Sequence, residues 1–315
     1  MAHSETTGFD KASRRVAISG ASGFLGSALA AHLRAEGITV QRLRRGARAA
    51  APDVAWRPKS GEIDLAQLTG VDGVVNLAGA TIARRWTDKR KREILESRIQ
   101  STRLLAQTVA RLDPPPLVFV SGSAVGIYGD RGDEELDEDS RPGNDFLAQT
   151  ATAWEDAAEP ARAAGIRVVF VRTGIVLDPA GGALGKLLLP YKFGLGGRIG
   201  SGRQWMSWIA LDDWLNAVVF TLSADLAGAV NFVAPNPLPN ADFARTLARV
   251  LGRPALLPLP EAAVDLLFGE MGRATLLGSQ RVHPRRLQEA GFEFSYPTLE
   301  QALRAVLERG ALPRP

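Results

Sequence analysis

The chain of 315 residues contains no cysteine, which excludes disulfides, thiolate nucleophiles and thiolate metal ligands. Histidine is nearly as rare, with His3, His32 and His283, so neither a histidine-centred metal site nor a Ser-His-Asp triad is expected. Acid–base chemistry would therefore have to use tyrosine, serine, lysine or carboxylate side chains. The lack of cysteine also fits a reducing compartment, and we expect a cytoplasmic protein.

Long apolar runs are missing as well. No uninterrupted stretch approaches the roughly 20 apolar residues that a membrane-spanning helix needs. Residues 1–13 are polar and lack the apolar core of a signal peptide, so we expect a disordered tail there. The excess of positive charge is small, with 38 Lys and Arg against 34 Asp and Glu. The clusters of basic residues are typical of solvated helix faces. The expected partner is therefore a small-molecule substrate, not a nucleic acid or a membrane.

The chain does contain an alternation of short β-branched runs with longer helical patterns. Alternation of this kind predicts an α/β fold with a doubly wound parallel sheet of the Rossmann type. The predicted strands cover 15–19, 38–43, 72–77, 117–121 and 166–172, and the predicted helices cover 24–35, 89–112 and 148–164.

The pattern changes after residue 178. Residues 179–208 are rich in glycine and are predicted to form irregular loops, whereas 212–233 predict a helix and a strand that return to the sheet. Mainly helical patterns, separated by prolines, follow to the end of the chain. The predicted organisation is a nucleotide-binding Rossmann domain over 14–178 with 212–233, and a smaller, mostly helical substrate domain made of 179–211 and 234–315.

The firmest motif is Gly20-x-x-Gly23-x-x-Gly26, which directly follows a predicted strand and opens a predicted helix. In this position the first glycine permits a tight turn, the second lets a diphosphate approach the backbone, and the third lets the helix pack close to the strand. The N-terminus of the helix adds N–H groups and the positive end of its dipole. The sequence therefore predicts a dinucleotide site in this turn. Its residues are Gly20, Ser22, Gly23, Phe24, Leu25 and Gly26.

The end of the second predicted strand indicates which dinucleotide is bound. A carboxylate at this place favours NAD, because it accepts hydrogen bonds from the ribose hydroxyls and repels a 2′-phosphate. The chain has Arg44 and Arg45 there instead. Their guanidinium groups suit charge-assisted hydrogen bonds to a 2′-phosphate, so we expect NADP(H) as the cofactor. The alternative is a solvent-exposed basic turn.

Two further strand ends carry small residues. Leu77, Ala78 and Gly79 follow one strand, and Ser121 and Ser123 end the next. Small side chains at a carboxyl strand end let a cofactor lie against the backbone. We expect Leu77, Ala78, Gly79 and Ser121 to contact the cofactor. The hydroxyl of Ser123 is expected to contact the nicotinamide or a substrate carbonyl. Serine and glycine are also ordinary turn residues, which is the alternative for either segment.

Together these segments resemble the extended short-chain dehydrogenase/reductases, which share the glycine turn, the Leu-Ala-Gly strand end and a serine-rich strand end followed by Tyr-Gly, here Tyr128-Gly129. Other stretches are similar to one atypical branch, the epimerase-like family with a distinct C-terminal domain of unknown function. They include Arg85-Trp86-Thr87, Ser97-Arg98-Ile99, Trp154-Glu155, Arg172-Thr173-Gly174 and Leu277-Gly278-Ser279-Gln280-Arg281. The resemblance covers about residues 15 to 310. It implies a Rossmann-type fold, NADP(H) binding and an epimerase or oxidoreductase activity without an established substrate.

The chain departs from its parent superfamily at the catalytic residues. That superfamily uses a serine with a Tyr-x-x-x-Lys pair, in which the tyrosine exchanges a proton and the lysine lowers its pKa and holds the nicotinamide ribose. Counting from Ser123, the corresponding positions are Phe146 and Thr150. Phenylalanine cannot transfer a proton, and threonine cannot supply the positive charge. The usual tyrosine and lysine are therefore missing. The atypical branch that the chain resembles shares this departure from its parent superfamily.

Three explanations stay open. A different residue takes the proton role, with Tyr128, five residues after Ser123, as the best candidate and Asp130, Tyr191 and Lys192 as weaker ones. A packed aromatic with a satisfied hydroxyl explains Tyr128 equally well. Alternatively, hydride transfer needs no strong protein acid for this substrate. The third explanation is a protein that binds NADP(H) without turnover, as a redox sensor or regulator.

A substrate pocket is expected between the carboxyl edge of the sheet and the C-terminal domain. Arginines near it would favour an anionic small molecule, although surface ion pairs explain any single arginine. The candidates are Arg84, Arg85, Arg98, Arg172 and Arg203. The leading prediction is an NADP(H)-dependent oxidoreductase or epimerase-like enzyme that acts on a small carbonyl or sugar-like compound. The alternatives are a non-catalytic regulator and a structural or nucleic-acid-binding protein.

Overall fold

A computed structural model describes residues 14–46 and 49–310, so the expected tail 1–13 lies outside the described residues. The strands are β1 (Arg15–Ser19), β2 (Thr39–Arg45), β3 (Val54–Arg57), β4 (Glu62–Ile63), β5 (Gly73–Asn76), β6 (Val118–Ala124), β7 (Glu135–Leu136), β8 (Arg167–Thr173), β9 (Ile175–Asp178), β10 (Trp205–Met206), β11 (Trp208–Ala210), β12 (Gly228–Phe232), β13 (Leu238–Pro239) and β14 (Arg281–Val282). The helices are α1 (Phe24–Ala35), α2 (Asp88–Val109), α3 (Phe146–Asp156), α4 (Glu159–Ala163), α5 (Gly182–Lys192), α6 (Leu211–Ser223), α7 (Asn240–Leu251), α8 (Glu261–Phe268), α9 (Glu270–Gly272), α10 (Arg285–Glu289) and α11 (Leu299–Gly310).

Eight strands form one sheet in the order β12-β8-β6-β5-β1-β2-β3-β4. Neighbouring strands are parallel throughout, except for the antiparallel pair β3 and β4. The doubly wound Rossmann-type fold is therefore confirmed. The strand order reverses between β1 and β5, and open sheets of this kind bind ligands at the carboxyl ends of the strands beside such a reversal.

Burial on both faces explains the continuous apolar character of the central strands. In β1, the side chains of Val16 and Ile18 pack with α1 and α6 on one face. Ala17, which points to the opposite face, belongs to a second core with α2 and α4. The two layers of helices thereby fix the sheet, and they leave its carboxyl edge as the place where loops can shape a site.

The prediction that residues 179–208 form only irregular loops is wrong. They contain helix α5 and strand β10. Leu184, Leu188 and Tyr191 recur with helical spacing and pack into a core with α7 and α11. Burial of this face outweighs the low helix propensity of the glycines that motivated the loop prediction.

The C-terminal part of the chain is joined to the sheet region at several points. Strand β12 pairs with β8 inside the large sheet, and β14 pairs in parallel with β7, which precedes α3. The carboxylate of Asp213 in α6 accepts hydrogen bonds from the N–H groups of Ser295 and Tyr296 at 2.8 and 3.0 Å. In the part of the chain that the structure describes, no helix is long and apolar enough to cross a membrane.

Candidate functional site

The glycine turn lies at the carboxyl end of β1 and leads directly into α1. Gly20 has a φ of +69°, and a Cβ atom there would lie 2.6 Å from the carbonyl oxygen of Leu77. A Cβ atom on Gly26 would lie 2.2 Å from the carbonyl oxygen of Gly20. The first glycine therefore permits a left-handed turn against the next strand end, and Gly26 permits the close approach of α1.

The start of α1 is open to a ligand. Gly23 precedes the helix, no side chain caps it, and no acidic residue lies in its first turn. Ser22 and Gly23 are exposed, and Phe24 and Leu25 are partly buried. The first N–H groups of a helix have no intrahelical partner, and the dipole adds positive potential. This geometry, together with the close turn before it, fits the diphosphate of a dinucleotide.

Strand β2 ends with the two arginines that we expect at a 2′-phosphate, and both are exposed. Arg44 lies 3.4 Å from the carboxylate of Asp53, which also accepts hydrogen bonds of 3.0 and 2.7 Å from the guanidinium of Arg42. The hydrogen bonds from Arg42 lower the pKa of Asp53, so this carboxylate is charged at neutral pH. Arg45 pairs with no carboxylate in the described ranges, and its charge is available to an anion.

The loop after β5 is fastened to both β1 and α2. The buried amide of Asn76 accepts a 2.5 Å hydrogen bond from the hydroxyl of Ser19 and donates one of 2.7 Å to Thr102. These bonds hold the carboxyl ends of β1 and β5 together beside the glycine turn. The expected cofactor contacts follow directly in the chain, with Leu77 and Ala78 partly buried and Gly79 exposed.

Arg98 of α2 reaches across to the same loop. Its Nη1 atom donates a 3.0 Å hydrogen bond to the carbonyl oxygen of Ala80, and its Cζ atom lies 3.1 Å from the position that a Cβ of Gly79 would take. The guanidinium also lies over the ring of Trp154, 4.9 Å from the ring centroid. Burial lowers the pKa of Arg98 to about 10, so it remains positively charged at neutral pH.

Ser123 lies near the end of β6 and is buried. Its hydroxyl donates a 2.6 Å hydrogen bond to the carboxylate of Glu155 on α3. Arg172 of β8 holds the same carboxylate through two hydrogen bonds of 2.9 and 3.0 Å. Ser121, two residues before Ser123, is fully buried. A serine directed at a fixed carboxylate has the geometry for proton transfer, because the carboxylate can take up the proton that leaves the hydroxyl.

Tyr128 is fully buried behind this network. Its hydroxyl donates a 2.7 Å hydrogen bond to Asn231 and accepts one of 3.0 Å from Arg172. Burial raises the pKa of Tyr128 to about 12. The placement matches a packed aromatic with a satisfied hydroxyl and does not suit a proton donor to a substrate.

Helix α3 carries Phe146, Thr150 and Trp154 on successive turns. The ring of Phe146 meets that of Trp86 edge to face at 4.9 Å between centroids, and the Nζ atom of Lys91 lies 5.1 Å from its centroid. The hydroxyl of Thr150 is buried and bonds to no atom of the described residues. Neither residue replaces the proton exchange or the charge of the missing tyrosine and lysine.

The five arginines that we expect at a substrate fall into three groups. Arg172 is buried and paired with Glu155, so its charge is not available to a substrate anion, which corrects the expectation. Arg98 lies at the loop after β5, on the side of the expected cofactor. The remaining three are exposed: Arg84, Arg85 and Arg203.

Sequence reasoning did not select Glu155 as a site residue. It lies 32 residues after Ser123, and no local spacing joins the two. The signal that could have identified it is a carboxylate next to a tryptophan on a helix without any lysine or arginine to neutralise it. Such a carboxylate needs a partner from elsewhere in the fold when it is buried.

The reversal of strand order, the glycine turn beside it and the open N-terminus of α1 define a dinucleotide-binding protein of the Rossmann type. Residues 16–232 match the NAD dependent epimerase/dehydratase family, and residues 259–306 match a domain of unknown function (DUF1731). The chain therefore belongs to the NAD dependent epimerase/dehydratase family, and the resemblance inferred from the sequence is confirmed.

Similar proteins extend over nearly the whole chain. An epimerase family protein of Mycobacterium bovis is 46% identical over 290 residues, which cover 91% of this chain and 96% of the relative. The crystal structure of the human epimerase family protein SDR39U1 with NADPH has a TM-score of 0.84 and 36% identity, and covers 93% of this chain and 99% of that chain. A nucleoside-diphosphate sugar epimerase from Corynebacterium glutamicum, also 36% identical, has a TM-score of 0.79 over 96% of this chain and 60% of that chain.

Proposed function

We propose that the protein is an NADP(H)-dependent oxidoreductase or epimerase-like enzyme that acts on a small carbonyl or sugar-like compound. The observation that carries the proposal is the 2.6 Å hydrogen bond from Ser123 to Glu155 near the carboxyl edge of the sheet. This pair supplies an acid–base function in a chain where Phe146 and Thr150 cannot. No tyrosine is needed for it.

The residues of the site fit the proposed cofactor. Residues 20–26 and the start of α1 would hold the diphosphate, and Arg44 and Arg45 would bind the 2′-phosphate. The NADPH in the human SDR39U1 structure supports this choice. When bound, the cofactor would donate or accept a hydride at its nicotinamide ring.

Ser123 would relay a proton between the substrate and Glu155. Because its own proton points to the carboxylate, the serine oxygen can accept the proton of a substrate hydroxyl while its first proton moves to Glu155. In the reverse direction, the proton returns from Glu155 through Ser123 to a substrate carbonyl oxygen. Arg172 keeps the carboxylate oriented for both transfers.

An anionic substrate is supported by the exposed arginines. Arg85 donates a 3.2 Å hydrogen bond to the carbonyl oxygen of Leu266 in α8, so its guanidinium bridges the loop after β5 and the C-terminal region. Arg84 is exposed beside it. Guanidinium groups between two parts of a chain suit a carboxylate or phosphate of a ligand that enters there.

Turnover by the purified full-length chain tests the proposal. We expect NADPH absorbance to fall with at least one member of a panel of aldehydes, ketones and sugar acids. For an epimerase, we instead expect NMR spectra to show a sugar nucleotide that changes configuration without net loss of NADPH. Ser123→Ala and Glu155→Gln should abolish or strongly reduce the activity. Ser223→Ala, an exposed serine at the end of α6, is the matched control. Tight NADPH binding without turnover of any compound would contradict the enzymatic function.

A second function, a non-catalytic NADP(H) sensor, is favoured by the absence of a proton-transferring group at Phe146 and Thr150. A redox sensor must change its state with the ratio of NADPH to NADP+, so the two forms must favour different conformations of the protein. Titrations with both forms separate the functions. The sensor requires that the two forms leave the protein in different conformations without turnover, whereas identical conformations would exclude it.

A further inference from the structure

Most of the large apolar side chains that are exposed among the described residues lie in two short segments. Leu189, Phe193 and Leu195 belong to α5 and the turn after it, and Leu256 and Leu257 belong to the loop before α8. Phe193 and Leu256 are the most exposed of the five, at 73% and 80%. Single exposed apolar residues are normal in proteins, whereas a contiguous group marks a surface that contacts something else.

The fold brings these two segments together. The N–H group of Leu257 donates a 3.1 Å hydrogen bond to the carbonyl oxygen of Gly196, which directly follows the first segment. Within that segment, the N–H group of Phe193 donates a 3.4 Å hydrogen bond to the carbonyl oxygen of Leu189, so these two residues are one helical turn apart. The five exposed side chains therefore form one apolar patch on the C-terminal region.

Positive charges border the apolar patch. Neither segment contributes a carboxylate, because the sequence contains no Asp or Glu between residues 179 and 211 or between 251 and 260. Four basic residues lie within three positions of a patch residue, and all of them are exposed and form no ion pair within the described residues. They are Lys186, Lys192, Arg198 and Arg253. The patch therefore combines an apolar centre with cations that its own segments do not neutralise.

We propose that the apolar patch and its cations form a docking site for the surface of a membrane that contains anionic lipids. Leucine and phenylalanine side chains insert at the boundary between headgroups and acyl chains, while lysine and arginine beside them attract anionic headgroups. A second copy of the chain fits less well, because a symmetric dimer would bring the cations of two patches together.

This inference goes beyond the proposed function and does not depend on it. It replaces the expectation that a membrane is not a partner, which was based on the small net charge and on the missing apolar runs. Neither property reveals the patch, because its two segments are distant in the sequence and meet only in the fold. Docking of this kind needs no membrane-spanning helix.

Vesicle flotation with the full-length protein tests the proposal. We expect the protein to bind vesicles of phosphatidylglycerol and phosphatidylcholine, to bind vesicles of phosphatidylcholine alone much more weakly, and to bind the anionic vesicles less at high salt. Lys192→Gln should weaken binding to the anionic vesicles by about fivefold, the effect of one cation near the surface. Leu195→Gln should weaken it by about tenfold, because an apolar side chain no longer leaves water.

The matched controls carry the same substitutions elsewhere on the surface. Leu117→Gln replaces a leucine that is 58% exposed, as Leu195 is, and Lys59→Gln removes another exposed lysine. Neither control should change vesicle binding, and losses equal to those of the patch variants would overturn the proposal. Equal binding to both kinds of vesicle, or no binding to either, would also overturn it. So would a change of molar mass caused by Leu195→Gln in sedimentation velocity, because the patch would then join copies of the chain.

Discussion

The hydroxyl of Ser123 donates a 2.6 Å hydrogen bond to the carboxylate of Glu155, and the guanidinium of Arg172 also donates hydrogen bonds to this carboxylate. The side chains of Arg172 and Glu155 are only 9% and 12% exposed. Both charges are therefore shielded from water, and removal of either one would leave the other buried and unpaired.

Removal of Glu155 should therefore destabilise the fold. Glu155→Ala leaves Arg172 as an unpaired buried charge, and we expect the free energy of unfolding to fall by about 3–5 kcal/mol. The matched control is Glu159→Ala, because the pair Glu159–Arg162 is 63% and 56% exposed and should contribute less than about 1 kcal/mol. Urea denaturation of both variants measures the difference. Equal losses would contradict the importance of burial at Glu155.

Selectivity for NADPH over NADH should depend on the end of β2. Arg45→Ala and Arg44→Ala each remove a cation from the expected 2′-phosphate, and we expect the Kd for NADPH to rise by about tenfold or more while that for NADH stays nearly constant. Arg45 should have the larger effect, because Asp53 already attracts Arg44. Fluorescence titration with both cofactors checks this. Equal weakening of NADH and NADPH would refute a 2′-phosphate contact.

Two glycines with similar φ values allow the effect of backbone strain to be measured apart from the effect of a steric clash. Gly20 and Gly37 have φ values of +69° and +81°, but a Cβ on Gly37 meets no atom within 4 Å. Gly37→Ala should cost about 1 kcal/mol of stability from its conformation alone. Gly20→Ala should cost about 1–3 kcal/mol more because of its contact with Leu77, and should also abolish NADPH binding. If thermal unfolding shows the same loss for both, the close approach at Gly20 has no energetic weight.

Glu138 should make stability depend on pH. Its Oε1 atom accepts hydrogen bonds from the N–H groups of Asn231 and Arg286, its Oε2 atom is buried without a partner among the described residues, and Arg286 is the cation whose charge acts on it. Burial nevertheless raises its pKa.

The folded state favours the protonated form of Glu138, so stability falls as the pH rises from the ordinary glutamate pKa of 4.5 to the raised pKa of the folded state. Below pH 4.5 the side chain is protonated in both states, and this loss of stability is absent. Glu138→Gln stays neutral and keeps an acceptor at Oε1. The stability of this variant relative to the unaltered protein should therefore increase across that pH range and then level off. Urea midpoints measured in a pH series would refute this if the difference stayed constant.

The fold was largely predictable where apolar spacing is regular. Helix α1 begins and ends at the expected residues 24 and 35, because Leu29 and Leu33 form one continuous buried face. The single helix expected over 148–164 is divided into α3 and α4, and Pro160 lies in the first turn of the second. Strands β3 and β4 were not expected, because four and two residues are too few to show a period.

The site was predictable where one segment forms it and not where two segments meet. The turn from Gly20 to Gly26 has its function encoded in consecutive residues, and the structure places it at the reversal of strand order. The contacts of Ser123 with Glu155 and of Arg98 with the loop at Gly79 depend on how α3 and α2 pack against the sheet. A residue type at one position does not show such a pairing.

Strand β14 lies in the region that matches the domain of unknown function, whereas β7 lies inside the region that matches the epimerase family. Each contributes half of a backbone ladder, and Asn231 adds a 3.0 Å hydrogen bond to the carbonyl oxygen of His283. A chain without residues 259–306 would leave the backbone of β7 unpaired, close to the buried hydroxyl of Tyr128. The two regions are therefore expected to be gained or lost in evolution as one unit, and a shortened descendant would need another segment to cover this edge.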